Sequence, residues 1–344
     1  MSARRLLDRL RIDPYLVAIV GMVALASAFP SRGEVARGFS HASTAAVGLL
    51  FFLHGARLSR EAVWQGLSHW RLQLLIFTGT FALFPLLGLA ARGLVPGVLT
   101  PQLYLGLLFV CTLPSTVQSS VAFTSIARGN VPAAVCAASA SSLLGLLVTP
   151  LLVGLMIHTN GAMSLGGGVG GIVLQLFTPF LAGQLAQRWI GEWIVRHDRI
   201  TGLVDRGSIL LIVYTAFSES VANGIWRQID LRSILAVGFV NLVLLTLVIA
   251  IMTLASRRLG FSREDEIAIV FCGSKKSLAS GVPMVNVLFP AHAVGMIVLP
   301  LMLFHQIQLM VCATLARRYL SQHDVRAELQ GCSREPSLST RAAT

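Results

Sequence analysis

The stretch FCGSKKSLASGVPMVNVLF (residues 271–289) carries two adjacent lysines, Lys275 and Lys276, inside an otherwise apolar segment. A charged residue at the centre of a membrane-spanning helix costs roughly 2.5–3.5 kcal/mol on insertion scales. Two lysines that faced lipid would be more costly still, so we predict that they face a polar cavity at mid-membrane depth. Fixed positive charge in such a cavity indicates a pathway for an anion.

The composition of the whole chain is that of a polytopic all-α membrane protein. Hydrophobic residues make up 55% of the 344 residues, charged residues make up 12%, and the mean hydropathy is +0.74. Soluble domains carry about 25% charged residues. The length accommodates about ten spans of ~20 residues with short loops, and leaves no room for a sizeable soluble domain.

Ten apolar segments predict ten transmembrane helices. They cover residues 14–30, 39–56, 71–92, 102–127, 131–157, 168–189, 207–225, 232–255, 264–288 and 291–316. The predicted organisation is a cytoplasmic N-tail (1–13), a first five-helix repeat (14–157), a linker (158–167), a second five-helix repeat (168–316) and a disordered cytoplasmic tail (317–344).

The distribution of arginine predicts the orientation in the membrane. If the N-terminus is cytoplasmic, 20 arginines lie in cytoplasmic loops and tails and five lie outside. Cytoplasmic loops of membrane proteins carry an excess of Lys and Arg. We therefore predict a multi-pass protein of the plasma (inner) membrane with both termini in the cytoplasm. The net charge of +12 follows from this topology and does not predict binding to nucleic acid.

Five spans in each half predict that the two halves insert with opposite orientation, as inverted repeats. The fourth span of each half is interrupted, which is the best sequence indication of a transporter binding site. The first of these spans, YLGLLFVCTLPSTVQSSVAFTSIA (104–127), contains Pro114, and the second contains Gly273, Gly281 and Pro283. We predict that these four residues break the helices.

The cluster LPSTVQSS places hydrogen-bonding side chains directly after Pro114. We predict that a half-helix begins here and lines a polar site, with Ser115, Thr116, Gln118 and Ser119 as substrate-binding residues. The alternative is hydrogen bonding between packed helices. The same two interpretations apply to His305, Gln306 and Gln308 in the last span; the first two are placed with the substrate-binding residues.

Neighbouring residues on a helix point about 100° apart, so the two ammonium groups cannot both face one ligand unless the backbone breaks between them. One lysine can then enter a cation pocket while the other faces the transported anion. Ser277 is placed with the substrate-binding residues, and Ser274, Ser120 and Thr80 are placed with the ion-coupling residues. The alternative, in which the lysines extend to the membrane interface, fits their mid-span position poorly. Glu219 is either a proton carrier, a counter-ion of a lysine, or a hydrated carboxyl group near the outer interface.

No catalytic or metal-binding motif is found. The five cysteines form no CxxC pair, and the Gly-rich TNGAMSLGGGVGG (159–171) lacks the GK[ST] ending of a phosphate loop. Neither HExxH nor GxSxG occurs. We therefore expect no enzyme activity, no metal site and no organic cofactor.

Three stretches resemble the bile acid:sodium symporter-like proteins, in particular the bacterial branch related to the vertebrate member of uncertain transport role. They are LPSTVQSSVAFTSIARGN, FCGSKKSLASGVPM and PLMLFHQIQLMVCATLARR. The resemblance implies a panel domain and a core domain built from the two inverted repeats, with helices 4 and 9 broken and crossing. It also implies that the substrate lies between panel and core.

The chain departs from this family where sodium binds. Ser120 matches a serine ligand, but the other aligned ligand positions hold Thr80, Val121, Ala134, Ala138, Phe271 and Lys275. The resemblance therefore does not carry sodium dependence over to this chain. Because a tethered ammonium group can occupy a cation pocket permanently, we hypothesise that Lys275 replaces bound sodium and that Lys276, at the family's asparagine position, faces the crossing and the substrate. Proton coupling through Lys275 or Glu219 is a further hypothesis.

Together these patterns favour a secondary transporter of a small organic anion that works by alternating access. The alternative is a non-transporting membrane regulator or scaffold with a transporter-like fold, and a channel is a third hypothesis. The expected partners are the anion and the lipid bilayer. The sequence makes no prediction of substrate identity or oligomeric state.

Overall fold

A computed structural model describes residues 14–57, 69–157, 168–222, 224 and 230–332. All regular structure in these ranges is helical. The first seven α-helices are α1 (Pro14–Ala28), α2 (Gly33–Arg57), α3 (Trp70–Thr78), α4 (Phe84–Ala90), α5 (Pro101–Thr112), α6 (Val117–Ile126) and α7 (Val131–Met156). The remaining six are α8 (Gly168–Arg196), α9 (Asp198–Ala222), α10 (Leu231–Arg258), α11 (Arg263–Gly273), α12 (Leu278–Leu288) and α13 (Ala291–Cys332). A π-helical turn, Gly79–Leu83, joins α3 to α4, and a 3-10 turn, Ala91–Leu94, follows α4.

Six helical segments in the described ranges are long and apolar enough to cross a membrane. The pair α5–α6, bent by 64°, brings the number to seven. The chain is therefore a helical protein with several candidate spans, and the count of ten crossings stays a prediction. Each of the ten predicted apolar segments nevertheless contains helix, and both predicted interruptions are present, between α5 and α6 and between α11 and α12.

The predicted disordered tail is partly wrong, because α13 continues through its first residues to Cys332. Residues 333–344 of that tail, the predicted N-tail (1–13) and the predicted linker (158–167) lie outside the described residues.

The helices pack in two groups. In the first group, α2 packs against α8 and α9, and α1 packs against α9. In the second group, the broken pairs α5–α6 and α11–α12 are surrounded by α3, α4, α7, α10 and α13. The groups meet where α9 contacts α12 and α13, and where α8 contacts α7. The seam between the groups is the position of the main cavity described below.

Glycines bring α2 and α8 into backbone contact. A Cβ atom added to Gly55 would lie 2.1 Å from the carbonyl oxygen of Phe180, and one added to Gly183 would lie 2.0 Å from that of Phe52. No side chain larger than hydrogen fits at either position without moving a helix. This reciprocal contact fixes the distance between two helices of the first group.

Side-chain caps fix the start of two helices in the second group. The side chain of Asn130 accepts from the N–H of Ala133 at 3.1 Å and begins α7, and Ser262 Oγ accepts from the N–H of Asp265 at 3.1 Å and begins α11. Each cap satisfies a backbone donor that the first helical turn leaves free. Asn130 Nδ2 also donates to the Asp265 carboxylate at 2.8 Å, so the two helix starts are joined.

Candidate functional site

Helix α5 ends because of Pro114. A residue before proline is disfavoured in the α region, and Leu113 is extended, with φ −72° and ψ 152°. Pro114 also has no N–H to donate to the preceding turn. The chain re-enters a helix at Val117, and the extended residues between α5 and α6 leave several backbone groups without helical partners.

The second break, between α11 and α12, lies against the first and supplies many of the missing partners. Ser115 Oγ donates to the carbonyl of Cys272 at 2.6 Å, and Ser120 Oγ donates to that of Phe271 at 3.0 Å. In return, the N–H of Ser277 donates to the carbonyl of Pro114 at 2.9 Å. Backbone groups inside a membrane protein need such internal partners because lipid supplies none. The two breaks are therefore a single hydrogen-bonded crossing.

The crossing also fixes the backbone of Lys276. Its N–H donates to Gln308 Oε1 at 2.9 Å, and its carbonyl accepts from Gln308 Nε2 at 2.9 Å. Thr116 Oγ1 donates to the same carbonyl at 2.8 Å. Of the two interpretations of Gln308, hydrogen bonding to another segment therefore describes its contacts.

The ammonium group of Lys276 is surrounded by backbone carbonyls. Its Nζ donates to Thr80 O at 2.8 Å, to Cys111 O at 2.9 Å and to Leu113 O at 2.7 Å. The ring centroid of Phe84 is 4.2 Å away, and the residue is fully buried. A lysine ammonium has three donors and no acceptor, so every donor is used.

The carbonyl of Thr80 is free because of the π-helical turn. The N–H of Phe84 donates to Gly79 O, five residues back, and in that register the next donor to Thr80 O would come from residue 85. Residue 85 is proline, which has no N–H. The turn therefore presents an unpaired carbonyl, and Lys276 satisfies it.

Lys275 has different surroundings. It is fully buried, its Nζ lies 3.9 Å from the ring centroid of Phe123 and 5.8 Å from that of Phe271, and it has no hydrogen-bond partner among the described residues. The aromatic faces offer cation–π attraction only. Adjacent lysines thus have unequal environments, and both lie in the non-helical break between α11 and α12, where the 100° helical offset does not apply.

The main cavity lies between the two helix groups and has a volume of about 810 Å³. Residues of α1, α2, α8 and α9 form one wall, and residues of α6, α7, α12 and α13 form the other. Among the predicted substrate-binding residues, those that line it are Thr116, Gln118, Ser119, Ser277 and His305.

Neither lysine lines this cavity. Three carbonyls hold the ammonium group of Lys276 inside the second helix group, away from this cavity, and the assignment of Lys276 to the substrate stays a prediction. The alternative in which the lysines extend to the membrane interface is wrong, since both are fully buried. Lys276, rather than Lys275, occupies the polar cation environment.

The other predicted residues divide in the same way. Ser115 is buried in the crossing, and Gln306 does not line the cavity. Ser274 caps the end of α11, where its Oγ donates to Val270 O at 2.6 Å, and Glu219 is exposed on α9 away from the cavity. Of the predicted helix-breaking residues, Pro114 and Gly273 lie at the breaks.

Gly281 and Pro283 do not break a helix. Both lie inside α12, which begins at Leu278. A proline this close to a helix start removes few hydrogen bonds. Gly281 instead allows close packing, since a Cβ atom there would lie 2.6 Å from Leu301 Cδ2 and 2.7 Å from Leu113 Cδ1.

Sequence reasoning missed the charged end of the cavity. This end consists of His54, Arg57, Arg199, Asp205 and Arg206, together with Tyr15. The arginines were assigned to cytoplasmic loops by the charge rule alone. The spacing of Arg199, Leu203 and Arg206 along α9, four and then three residues, is that of one helix face and was the available signal.

An ion pair joins the two helices that carry this charged end. Arg57 Nη1 of α2 donates to Asp205 Oδ2 of α9. Arg57 Nη2 and Asp205 Oδ1 are buried and have no hydrogen-bond partner among the described residues. Arg206 lies 5.7 Å from the ring centroid of Tyr15. With three arginines and one aspartate, the end is cationic overall.

In the part of the chain that the structure describes, no cluster of His, Cys, Asp and Glu could hold a metal ion. Phe271, Ala134 and Ala138, at positions that the resemblance aligns with sodium ligands, have side chains without an oxygen donor. Phe271 packs against Phe123 and Tyr319.

Comparison with known proteins assigns the chain to a transporter family. The model of the SBF-like CPA transporter family matches residues 13–321. The chain belongs to this family. Among its relatives is the Escherichia coli protein named "Putative symporter YfeH", 54% identical over 311 residues, which cover 90% of this chain and 94% of the relative.

More distant relatives of this SBF-like chain occur in vertebrates. The rat protein named sodium/bile acid cotransporter 7 is 30% identical over 320 residues, which cover 90% of this chain and 93% of the relative. A second bacterial relative, an uncharacterized protein of Pseudomonas aeruginosa, is much more similar. It is 55% identical over 313 residues, which cover 91% of this chain and 94% of the relative. The resemblance to bile acid:sodium symporter-like proteins is confirmed, and the chain is a member of a membrane transporter family.

Proposed function

We propose that this protein is a secondary transporter of an amphiphilic organic anion and that the cavity between the two helix groups is its binding site. The observation that carries the proposal is the composition of the cavity wall. The wall combines three arginines and one aspartate of the charged end, hydroxyl and amide groups of the crossing, and apolar side chains.

The charged end suits an acidic group. Arginine presents a planar fork of donors that matches the geometry of a carboxylate, sulfonate or phosphate. The guanidinium groups of Arg199 and Arg206 belong to exposed residues, whereas Arg57 is paired with Asp205. Arg199 and Arg206 are therefore the proposed anion contacts, and Arg57 holds α2 and α9 together.

The remainder of the wall suits a hydrophobic body with a few polar groups. Apolar contacts come from Phe51, Leu143, Leu146, Phe180 and Ile209. Thr116, Gln118, Ser119 and Ser277 offer hydrogen bonds from the crossing. A volume of about 810 Å³ lies within the usual range of small-molecule sites, which is about 300–1,000 Å³.

The packing of the helices supports alternating access. We assign α1, α2, α8 and α9 to a panel and the crossing with its surrounding helices to a core, which together make ten spans in two inverted repeats. A substrate between panel and core is exposed to one side of the membrane at a time if the two groups rock against each other. The contacts of α9 with α12 and α13 form part of the interface that would change.

The charge rule supports a cytoplasmic opening in this conformation. Arg57, Arg199 and Arg206 belong to segments predicted to be cytoplasmic, and they lie at the cationic end of the cavity. We assign the protein to the inner membrane with both termini in the cytoplasm. The conformation is then inward-facing.

For energy coupling, a proton is favoured over sodium. Oxygen donors are missing from several aligned sodium positions, and Lys275 is a buried titratable group without a hydrogen-bond partner among the described residues. Imposing a pH gradient or a sodium gradient on proteoliposomes separates the two. Uptake driven by sodium alone would contradict the assignment.

A thermal-shift screen of the purified protein tests the proposed function. A ligand that binds only the folded state raises the melting temperature. We expect taurocholate, octanoate or benzenesulfonate to stabilise the protein more than the neutral octanamide and benzenesulfonamide. The probes that bind are then followed as uptake into proteoliposomes.

Two variants place the binding in the cavity. Arg206→Gln combined with Arg199→Gln should weaken anion binding at least about 10- to 100-fold, since each hydrogen bond to a charged group contributes about 1.5–3 kcal/mol. Arg196→Gln is the matched control, because Arg196 pairs with Glu192 on the surface and does not line the cavity. If the double variant and Arg196→Gln lost the same affinity for the anion, binding in the cavity would be contradicted. Folded protein that takes up no probe would favour a scaffold or regulator instead.

A further inference from the structure

Two adjacent buried lysines are satisfied to different degrees, and the difference defines a site. Every donor of the Lys276 ammonium group has a backbone oxygen at 2.7–2.9 Å, and none of these oxygens belongs to a side chain. The Lys275 ammonium group has none among the described residues. The surroundings of Lys276 are therefore built for a cation, and those of Lys275 are not.

The three oxygens come from two separate parts of the chain. Thr80 belongs to the π-helical turn after α3, and Cys111 and Leu113 belong to the end of α5 and the break that follows it. Two prolines keep them free, since Pro85 cannot donate to Thr80 O, and Pro114 prevents α5 from continuing past Leu113. The prolines thus leave carbonyls without backbone donors, and the charged side chain of Lys276 donates to them.

The number of acceptors indicates that the Lys276 side chain is bound as a charged ammonium group. A neutral amine has two N–H bonds, whereas an ammonium group has three, and three acceptors are present. The ring of Phe84, 4.2 Å from Nζ, adds the negative face of an aromatic system. Carbonyl oxygens also serve as ligands of alkali cations in channels.

We infer that Thr80 O, Cys111 O and Leu113 O form a monovalent-cation site that the protein fills permanently with its own Lys276 ammonium group. The tethered cation joins the π-helical turn to the crossing and removes the need for a free ion at this position. If the side chain is deleted, the site is open to a small cation, either an alkylammonium ion or an alkali ion. The inference concerns binding and stability, and it does not rest on the proposed organic-anion substrate.

The experiment uses Lys276→Ala of the full chain, purified with N-methylglucamine as the only monovalent cation. This cation is too large for the vacated space. We expect the variant to melt several degrees below the wild type, and we expect methylammonium or sodium to restore part of that loss in a saturable manner, as binding to the folded state requires. The wild type should not respond, because its site is occupied.

Two matched variants keep the test decisive. Lys275→Ala lacks the neighbouring ammonium group and should show no specific response to either cation. Lys276→Met fills the space without charge; it should be less stable than the wild type and than Lys275→Met, whichever cation is present.

The inference is overturned by Lys276→Ala that shows no cation-specific stabilisation, or by Lys276→Met that melts at the wild-type temperature. If Lys276→Ala does not fold in N-methylglucamine, recovery of folded protein only in methylammonium or sodium supports the site. If no medium yields folded protein, the comparison of the two methionine variants decides.

Discussion

The side-chain amide of Gln308 bonds both backbone groups of Lys276, with its oxygen 2.9 Å from the backbone nitrogen and its nitrogen 2.9 Å from the backbone oxygen. The side chain on α13 thereby supplies the two hydrogen bonds that a neighbouring strand or helical turn would otherwise make with Lys276. The non-helical backbone of the second break is held at a fixed position relative to α13. The direction of the Lys276 side chain follows from this fixed backbone.

Replacing Gln308 should therefore be costly. In Gln308→Leu the buried N–H of Lys276 loses its acceptor, and a buried unsatisfied donor costs about 1–3 kcal/mol. We expect a melting temperature several degrees lower in a thermal-unfolding measurement. Gln306→Leu is the control, since Gln306 Oε1 already has no partner among the described residues. Similar losses in the two variants would contradict the role given to Gln308.

Ser141 and Ser142 are neighbours on α7 with different roles. Ser141 Oγ accepts from the N–H of Ser115 at 3.0 Å, at the start of the extended segment, whereas Ser142 lines the cavity. Ser141→Ala should lower the free energy of unfolding by about 1–3 kcal/mol, because that N–H has no other described acceptor. Ser142→Ala should have little effect. Chemical denaturation of the two purified variants measures the difference, and equal stability would argue against the assignment.

Glu266 is the buried acceptor of a small charged network at the start of α11. Its carboxylate accepts from Arg257 Nε at 2.8 Å, Arg263 Nη1 at 2.6 Å and Tyr319 Oη at 3.0 Å. Breaking a buried ion pair by removing one partner costs about 3–5 kcal/mol, and partial exposure of the arginines reduces that figure. We expect Glu266→Ala to unfold at a clearly lower temperature.

The control for this network is Glu264→Ala. Glu264 is exposed, and the contact it makes with Asn130 uses its backbone oxygen, which the substitution keeps. Its stability should stay close to that of the wild type. A melting temperature of Glu266→Ala that matches that of Glu264→Ala would show that the network contributes little.

The apolar segments and the first break could be predicted from the sequence because each depends on local chemistry. Apolar length sets the helices, and Pro114 stops α5 through its own covalent geometry. Gly281 and Pro283 were misassigned because the same residue types also permit close packing and the first turns of a helix. The break in the second half instead depends on partners far away in sequence, notably Gln308.

The directions of the two lysines could not be predicted. Both lysines lie in the non-helical break between α11 and α12, so the helical period of 3.6 residues does not set their directions. Which lysine meets the carbonyls depends on the π-helical turn at Thr80, which is 196 positions away in the chain. The cationic end of the cavity was missed because the charge rule explains an arginine without reference to what it faces.

The glycine contact between α2 and α8 has a consequence for how the binding site can adapt. Where the backbones of two helices are in contact, no side chains lie between them that could repack. This half of the pocket therefore moves as a rigid body. A change in the width of the pocket must then arise at the opposite face, where side chains separate α9 from α12 and α13. We expect relatives that bind larger or smaller substrates to differ in sequence at the contacts of α9 with α12 and α13, and to keep Gly55 and Gly183.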